Sequence, residues 1–174
     1  MQNEGHTLDV STIVGVKVPD DLYVLVQQPA PLLGMKFPHP GFPWRALGGI
    51  GIRHVVCLTH RSAPYDPSPL ELLHASDLED LLDRSGPEDP EGEEMKIRAA
   101  VEATVTALRR GEGVVVHCAG GTGRTGTVLG CSLVSLGWSP AAALQVLETV
   151  HKARGRHWPE SLWQSELLAR AAQF

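Results

Sequence analysis

A cysteine, five small residues and an arginine fill Cys118 to Arg124, inside the segment VVVHCAGGTGRTG that runs from Val114 to Gly126. The residues before it, Gly113 to His117 (GVVVH), have the pattern of a short buried strand, and Thr125 to Leu136 reads as a buried helix. The loop of Ala119, Gly120, Gly121, Thr122 and Gly123 therefore leads into a helix N-terminus, where backbone N–H groups lack partners and the dipole is positive. Glycine lets that backbone curl until successive N–H groups face one centre, a nest for a phosphate dianion. Arg124 adds a planar fork that can hold two phosphate oxygens. Cys118 then lies at the floor of the cup. Donors that hold a phosphate also favour the thiolate, the form of cysteine that attacks. The pattern points to phosphoryl transfer through a phosphocysteine.

Other readings use the same letters. A glycine-rich turn can be tight strand–helix packing around an inert buried cysteine. The joint occurrence of strand, cysteine, gap, arginine and helix weighs against it. Gly121, Gly123 and Gly126 also spell GxGxxG, a dinucleotide fingerprint. The chain after them reads as three helices with no second strand, and the acid expected downstream, Glu148, falls inside a helix. A phosphate-binding loop of the Walker type lacks its lysine.

Holding such a loop requires a packed domain, and 174 residues with 43% hydrophobic and 20% charged content suffice for one. The net charge of −5 argues against general nucleic-acid or anionic-membrane binding. Cys57, Cys118 and Cys131 are too few, and odd in number, for a disulfide framework, so a reducing, cytoplasmic setting is expected. The polar N-terminus shows no signal-peptide pattern. The uncharged stretch between Arg124 and Glu148 is broken by Gly137 and Ser139-Pro140, and reads as two helices rather than a membrane span. The histidines lack metal-ligand spacing, so neither a metal nor another cofactor is expected.

Leu22 to Val26 and Arg53 to Thr59 read as strands, and Trp44 to Leu47 as a short helix. Pro64 to Gly86 stays open. Leu70, Leu73, Leu78, Leu81 and Leu82 can share a helical face, or Leu72-Leu73 can end a strand. Glu93 to Arg110 is a helix with Ile97, Val101, Val105 and Leu108 on one face, stopped by Gly111 and Gly113. Pro140 to Lys152 and Pro159 to Ala172 complete the helices. Strands separated by helices give an α/β single domain with a central, largely parallel sheet flanked by helices. Residues 1–20 are read as an arm or early hairpin and 21–174 as the catalytic domain.

HCAGGTGRTG resembles the His-Cys-x5-Arg-Thr/Ser signature of the cysteine-dependent protein tyrosine phosphatases, and the short chain is similar to their dual-specificity branch. The resemblance implies metal-independent hydrolysis of phosphomonoesters in two steps. Cys118 would attack phosphorus. An aspartic acid on an upstream loop would protonate the leaving oxygen and then activate water. Thr125 would hydrogen-bond the sulfur and help it leave, and His117 would orient the loop. Leu78-Glu79-Asp80 looks like the family's apolar-x-Asp element, which favours Asp80; Asp77, Asp83 and Asp89 are the other candidates. Lys152 to Pro159 would border the cup, so that Arg154, Arg156, His157 and Trp158 either meet the substrate or simply cap a helix. Gln164 resembles a water-positioning glutamine and also suits a helix surface. Cys57 is read as a core residue that could cross-link to Cys118 under oxidation, and Cys131 as inert packing.

No side chain between Cys118 and Arg124 is basic, which disfavours a polyphosphorylated headgroup. The expected substrate is phosphotyrosine, with phosphoserine and phosphothreonine, in a phosphorylated protein. The alternatives are a small phosphomonoester or phosphoinositide, or a phosphate-binding module with little turnover.

Overall fold

The computed structural model describes residues 8–60 and 65–174. Five strands form one sheet: β1 (Leu22–Val26), β2 (Leu32–Met35), β3 (Ile52–Cys57), β4 (Glu71–Ala75) and β5 (Gly113–His117). Their spatial order is β1-β2-β5-β3-β4, with only the β1/β2 pair antiparallel. The helices are α1 (Trp44–Gly49), α2 (Pro90–Arg109), α3 (Gly123–Ser135), α4 (Pro140–Ala153) and α5 (Leu162–Arg170). The expected α/β class with a central, largely parallel sheet holds.

β5 lies between β2 and β3 and is buried along its whole length, as a central parallel strand must be. Its side chains alternate between two cores. Val114 and Val116 share one core with Ile97 and Leu108 of α2, Val128 and Leu129 of α3, Leu147 of α4 and Leu168 of α5. Val115 faces the other way, toward Trp44 and Leu47 of α1 and Val10 and Ile13 of the N-terminal segment. Residues 8–20 carry turns and no strand, and residues 1–7 of the expected arm or hairpin lie outside the described residues.

Several elements differ from the sequence reading. β2 was not foreseen: LLGM is short, and its strand conformation comes from pairing on both sides, with β1 and β5. The open Pro64 to Gly86 segment holds β4, and Leu78 and Leu81 are buried outside any helix. α2 starts at Pro90, capped by Asp89, whose side chain accepts from the Gly92 amide. The last helix starts at Leu162, not Pro159, because Ser161 caps it and Gln164 reciprocates in a capping box.

One glycine couples the sheet to the glycine-rich loop. A Cβ on Gly34 of β2 would come within 2.2 Å of the Tyr23 ring. Tyr23 is buried, and its Oη donates to the Gly121 carbonyl at 2.7 Å. Gly34→Ala should therefore destabilise the fold by about 1–3 kcal/mol through overpacking, read as an unchanged urea m-value with a lower midpoint.

Candidate active site

Trans peptide planarity decides where a loop's amides point, because each N–H lies opposite the preceding carbonyl. The carbonyls of Ala119, Gly120 and Gly121 all turn outward. Ala119 O accepts from the Phe37 amide at 2.9 Å. Gly120 O and Gly121 O accept from Arg154 at 3.1 and 2.9 Å, and Gly121 O also takes the Tyr23 hydroxyl. The amides of Gly120, Gly121 and Thr122 are thereby turned inward. The Gly121 amide reaches the Cys118 sulfur at 3.2 Å. Gly121 has φ +73°, and a Cβ there would strike the Met35–Lys36 backbone at about 2.6 Å, so only glycine fits.

Arg154 was expected at the rim or in a helix cap. It lies behind the loop instead and is 8% exposed. Its guanidinium also donates to Pro19 O, Asp20 O and Thr122 Oγ1, and stands 4.5 Å over the Tyr23 ring. No carboxylate forms an ion pair with it among the described residues; carbonyls, a hydroxyl, a ring and His151 Nδ1 (3.1 Å) solvate it. Burial first, and the Arg154 charge second, push His151 down to about 3, so the imidazole is neutral and can accept from Arg154. Burial pushes the Tyr23 hydroxyl up, which keeps it a donor.

His117 bridges the strand and the loop. Its Nδ1 lies 3.1 Å from the Cys118 carbonyl, its Nε2 meets the Tyr65 hydroxyl, and its ring packs edge-on to Phe37 at 5.4 Å. Cys118 is 2% exposed at the floor. Thr125 is buried, and its Oγ1 has no hydrogen-bond partner; the bond to the Cys118 sulfur implied by the family resemblance is not formed here.

Arg124 leaves the first turn of α3 and is largely buried. Its guanidinium donates to Thr59 Oγ1 at 3.1 Å, to Leu78 O at 3.5 Å and to Asp80 Oδ2 at 3.3 Å. The structure thus brings Asp80, 62% exposed in its side chain, to the arginine that follows the cup. Leu78 and Leu81 bury on either side of it, and the Glu79 amide is held by Glu93 Oε1 at 2.7 Å. Asp89 is used as a helix cap. Asp83 has φ +59° in the following turn, and Asp77 contributes only a carbonyl, to Lys96.

The segment between α4 and α5 splits by residue. Trp158 is fully buried and its Nε1 donates to Gly123 O at 3.2 Å. Arg156 and His157 are exposed. Gln164 is 1% exposed, and its Oε1 accepts from the Glu160 and Ser161 amides at 2.8 and 3.2 Å. Glu160 was missed by sequence reasoning. Its carboxylate packs on Gly123, where a Cβ would come 1.7 Å from Oε2. Burial raises its pKa above the usual range, nearby Asp80 and Asp83 raise it further, and Arg124 and Arg156 pull it down.

Cys57 and Cys131 are buried, and the Cys57 thiol donates to Thr59 O at 3.3 Å. Burial pushes Cys131 up to about 12, as suits inert packing. No group of three or more metal-ligating side chains occurs among the described residues, and no helix there is long and apolar enough to cross a membrane.

Residues 24–159 match the family model described as PTP-SAK: Swiss Army Knife protein, DSP-PTPase phosphatase domain. Solved structures share the fold at low identity. Human DUSP28 superposes with a TM-score of 0.66 at 19% identity, covering 90% of this chain and 98% of that one. PTPMT1 in complex with PI(5)P gives 0.64 at 16% identity, covering 88% and 96%. The core catalytic domain of the PP-IP phosphatase SIW14 from S. cerevisiae gives 0.54 at 14%, covering 80% of each chain.

The loop's support makes two predictions. Replacing Arg154 by methionine orphans buried carbonyls at about 1–3 kcal/mol each; a lower melting temperature should accompany weaker competitive inhibition by phosphate. His151 also makes stability depend on pH. The unfolded chain takes up a proton near pH 6.5, whereas the folded chain does so only near 3. Stability should therefore fall as pH drops from about 6.5 toward 3. Urea titrations at pH 7 and 4.5 should show a smaller loss for His151→Gln, which keeps an acceptor for Arg154.

Proposed function

The chain belongs to the dual-specificity-phosphatase-like family of cysteine phosphatases, and on that premise we propose that it hydrolyses phosphotyrosine, and with it phosphoserine and phosphothreonine, through a phosphocysteine. The observation that carries this reading is the sulfur of Cys118 beneath inward-turned amides, with Arg124 and Asp80 side by side at the rim.

In the first step the phosphate sits on the amides of Ala119 to Gly123 and on the Arg124 fork, and Cys118 attacks phosphorus. Asp80 gives its proton to the leaving oxygen. Arg124 is paired with Asp80 in the structure, and a bound phosphate competes for the same guanidinium, which frees the carboxyl for the leaving group. In the second step water attacks phosphorus and the sulfur leaves as a thiolate. The unpaired Thr125 hydroxyl is the donor that meets the departing charge.

Two features favour a monoester on an aromatic or protein side chain over a polyphosphorylated ring. No basic side chain lies between Cys118 and Arg124, and at the rim the carboxylates of Asp80, Asp83 and Glu160 outnumber the guanidinium groups of Arg124 and Arg156. Phe37, Phe42, Trp44 and Tyr65 line a cavity of about 640 Å³ that adjoins the loop through the Phe37 amide on Ala119 O and the Tyr65 hydroxyl on His117, and it suits an aromatic flank of the substrate. The PI(5)P bound to PTPMT1 and the PP-IP substrate class of SIW14 show that the fold also takes inositol phosphates. The acidic rim is the reason to place this chain outside that group.

Turnover of an aryl phosphate should persist with chelator present. Cys118→Ser should abolish it, and Arg124→Lys should raise KM and lower kcat, because the flat fork is lost. Asp80→Asn should cut kcat by about 10²–10⁴-fold on poor leaving groups and far less on good ones. Undiminished activity in Cys118→Ser would refute the proposed mechanism, and faster turnover of phosphoinositides than of phosphotyrosine peptides would reassign the substrate.

A further inference from the structure

We propose that Glu160 takes the proton from the water that hydrolyses the phosphocysteine, so that two carboxylates divide the two steps; this rests on the phosphocysteine reading above. Glu160 Oε2 lies against Gly123, the last residue before Arg124, so closely that any side chain at Gly123 would displace it. Trp158 Nε1 on Gly123 O and Gln164 Oε1 on the Glu160 amide hold the segment from both sides. The carboxylate is thereby fixed beside the cup.

One other side chain nearby could hold the water. The resemblance pointed to Gln164. That side chain is buried, and its oxygen is consumed by two backbone amides, 2.8 and 3.2 Å away. Its Nε2 also faces Gly123, but an amide nitrogen only donates, so Glu160 is the group there that can accept a proton.

Among the described residues the Glu160 carboxylate makes no hydrogen bond or ion pair, although it is partly buried. Asp80 and Asp83 face it from the acid loop, Arg124 from α3 and Arg156 from its own segment. Arg124 is turned to Asp80, Thr59 and Leu78. An unpaired, partly buried carboxylate in a cleft beside an arginine is the environment in which acid–base groups are found. Its raised pKa makes it a stronger base than an ordinary carboxylate once ionised.

The step balances without a further reactant. Water oxygen bonds to phosphorus and the S–P bond breaks. The sulfur keeps the electron pair, one water proton passes to Glu160 and inorganic phosphate leaves. Glu160 then returns its proton to solvent. Asp80, ionised since it protonated the leaving group, is not required as the base.

The test is rapid-quench kinetics on p-nitrophenyl phosphate with the full chain and its Glu160→Gln, Glu160→Asp and Asp80→Asn forms. Glu160→Gln should release about one equivalent of nitrophenol per enzyme in a burst, then turn over at least tenfold more slowly than wild type. Phosphocysteine should accumulate, seen by mass spectrometry of the acid-quenched Cys118 peptide. The acid limb of kcat should disappear in that variant, and Glu160→Asp should recover part of the rate. Wild-type steady-state turnover without accumulation in Glu160→Gln would overturn the proposal, as would a slowed burst with no slowing afterwards. Failure of the underlying reading looks different: Cys118→Ser would keep its activity, and no variant would trap a phosphocysteine.

Discussion

A row of carbonyls is held facing outward, and the site depends on that. A glycine-rich loop has no intrinsic reason to present its amides to one point, since its backbone is the most permissive in the chain. Here Phe37, Arg154 and Tyr23 take the carbonyls of Ala119, Gly120 and Gly121, and peptide planarity turns the amides inward. Arg154 is the main strut. Among the described residues it is buried without an anionic partner, a costly arrangement that backbone carbonyls, a hydroxyl, a neutral histidine and an aromatic face together make tolerable. The positive charge behind the loop has the same sign as that of Arg124 in front of it.

The glycines that shape the loop also provide clearance. Gly121 lets the Met35–Lys36 backbone of the neighbouring strand lie against it, Gly123 admits the Glu160 carboxylate, and Gly126 admits the Trp158 ring. Each contact ties the loop to a different part of the chain. The loop is therefore clamped by β2, by the segment after α4 and by the side chains behind it. That rigidity lets donors sit ready without reorganising when phosphate arrives.

The rim is arranged by a different principle. Asp80 is carried on an irregular segment, yet Leu78 and Leu81 are buried on either side and Glu93 holds the intervening amide. An exposed carboxylate is thus placed by two buried leucines. Glu160 reaches the same neighbourhood from the opposite end of the chain, in a partly buried setting that raises its pKa. Two carboxylates in unlike environments beside one arginine is the arrangement that separates acid from base in hydrolytic sites.

The cup formed by Cys118, its loop and Arg124 was legible in the sequence alone. Strand, loop and helix start are contiguous there, so residue types and spacing translate directly into geometry. Asp80 was favoured over the other aspartates by its apolar-x-Asp element, but its contact with Arg124 across 44 residues was not legible in the sequence. Asp89 could have been set aside as a cap, and Ser161 with Gln164 carried a capping-box spacing that marks a helix start. Other features were decided by tertiary structure. Tyr23 and Arg154 act on a carbonyl 98 and 33 residues away, β2 is a strand through its neighbours, and Glu160 reaches the loop only because Gly123 leaves room for it. Local chemistry is written in consecutive letters. Which distant side chain fills a given space, and which buried charge finds carbonyls to solvate it, is set only when the two cores pack and bring those segments together.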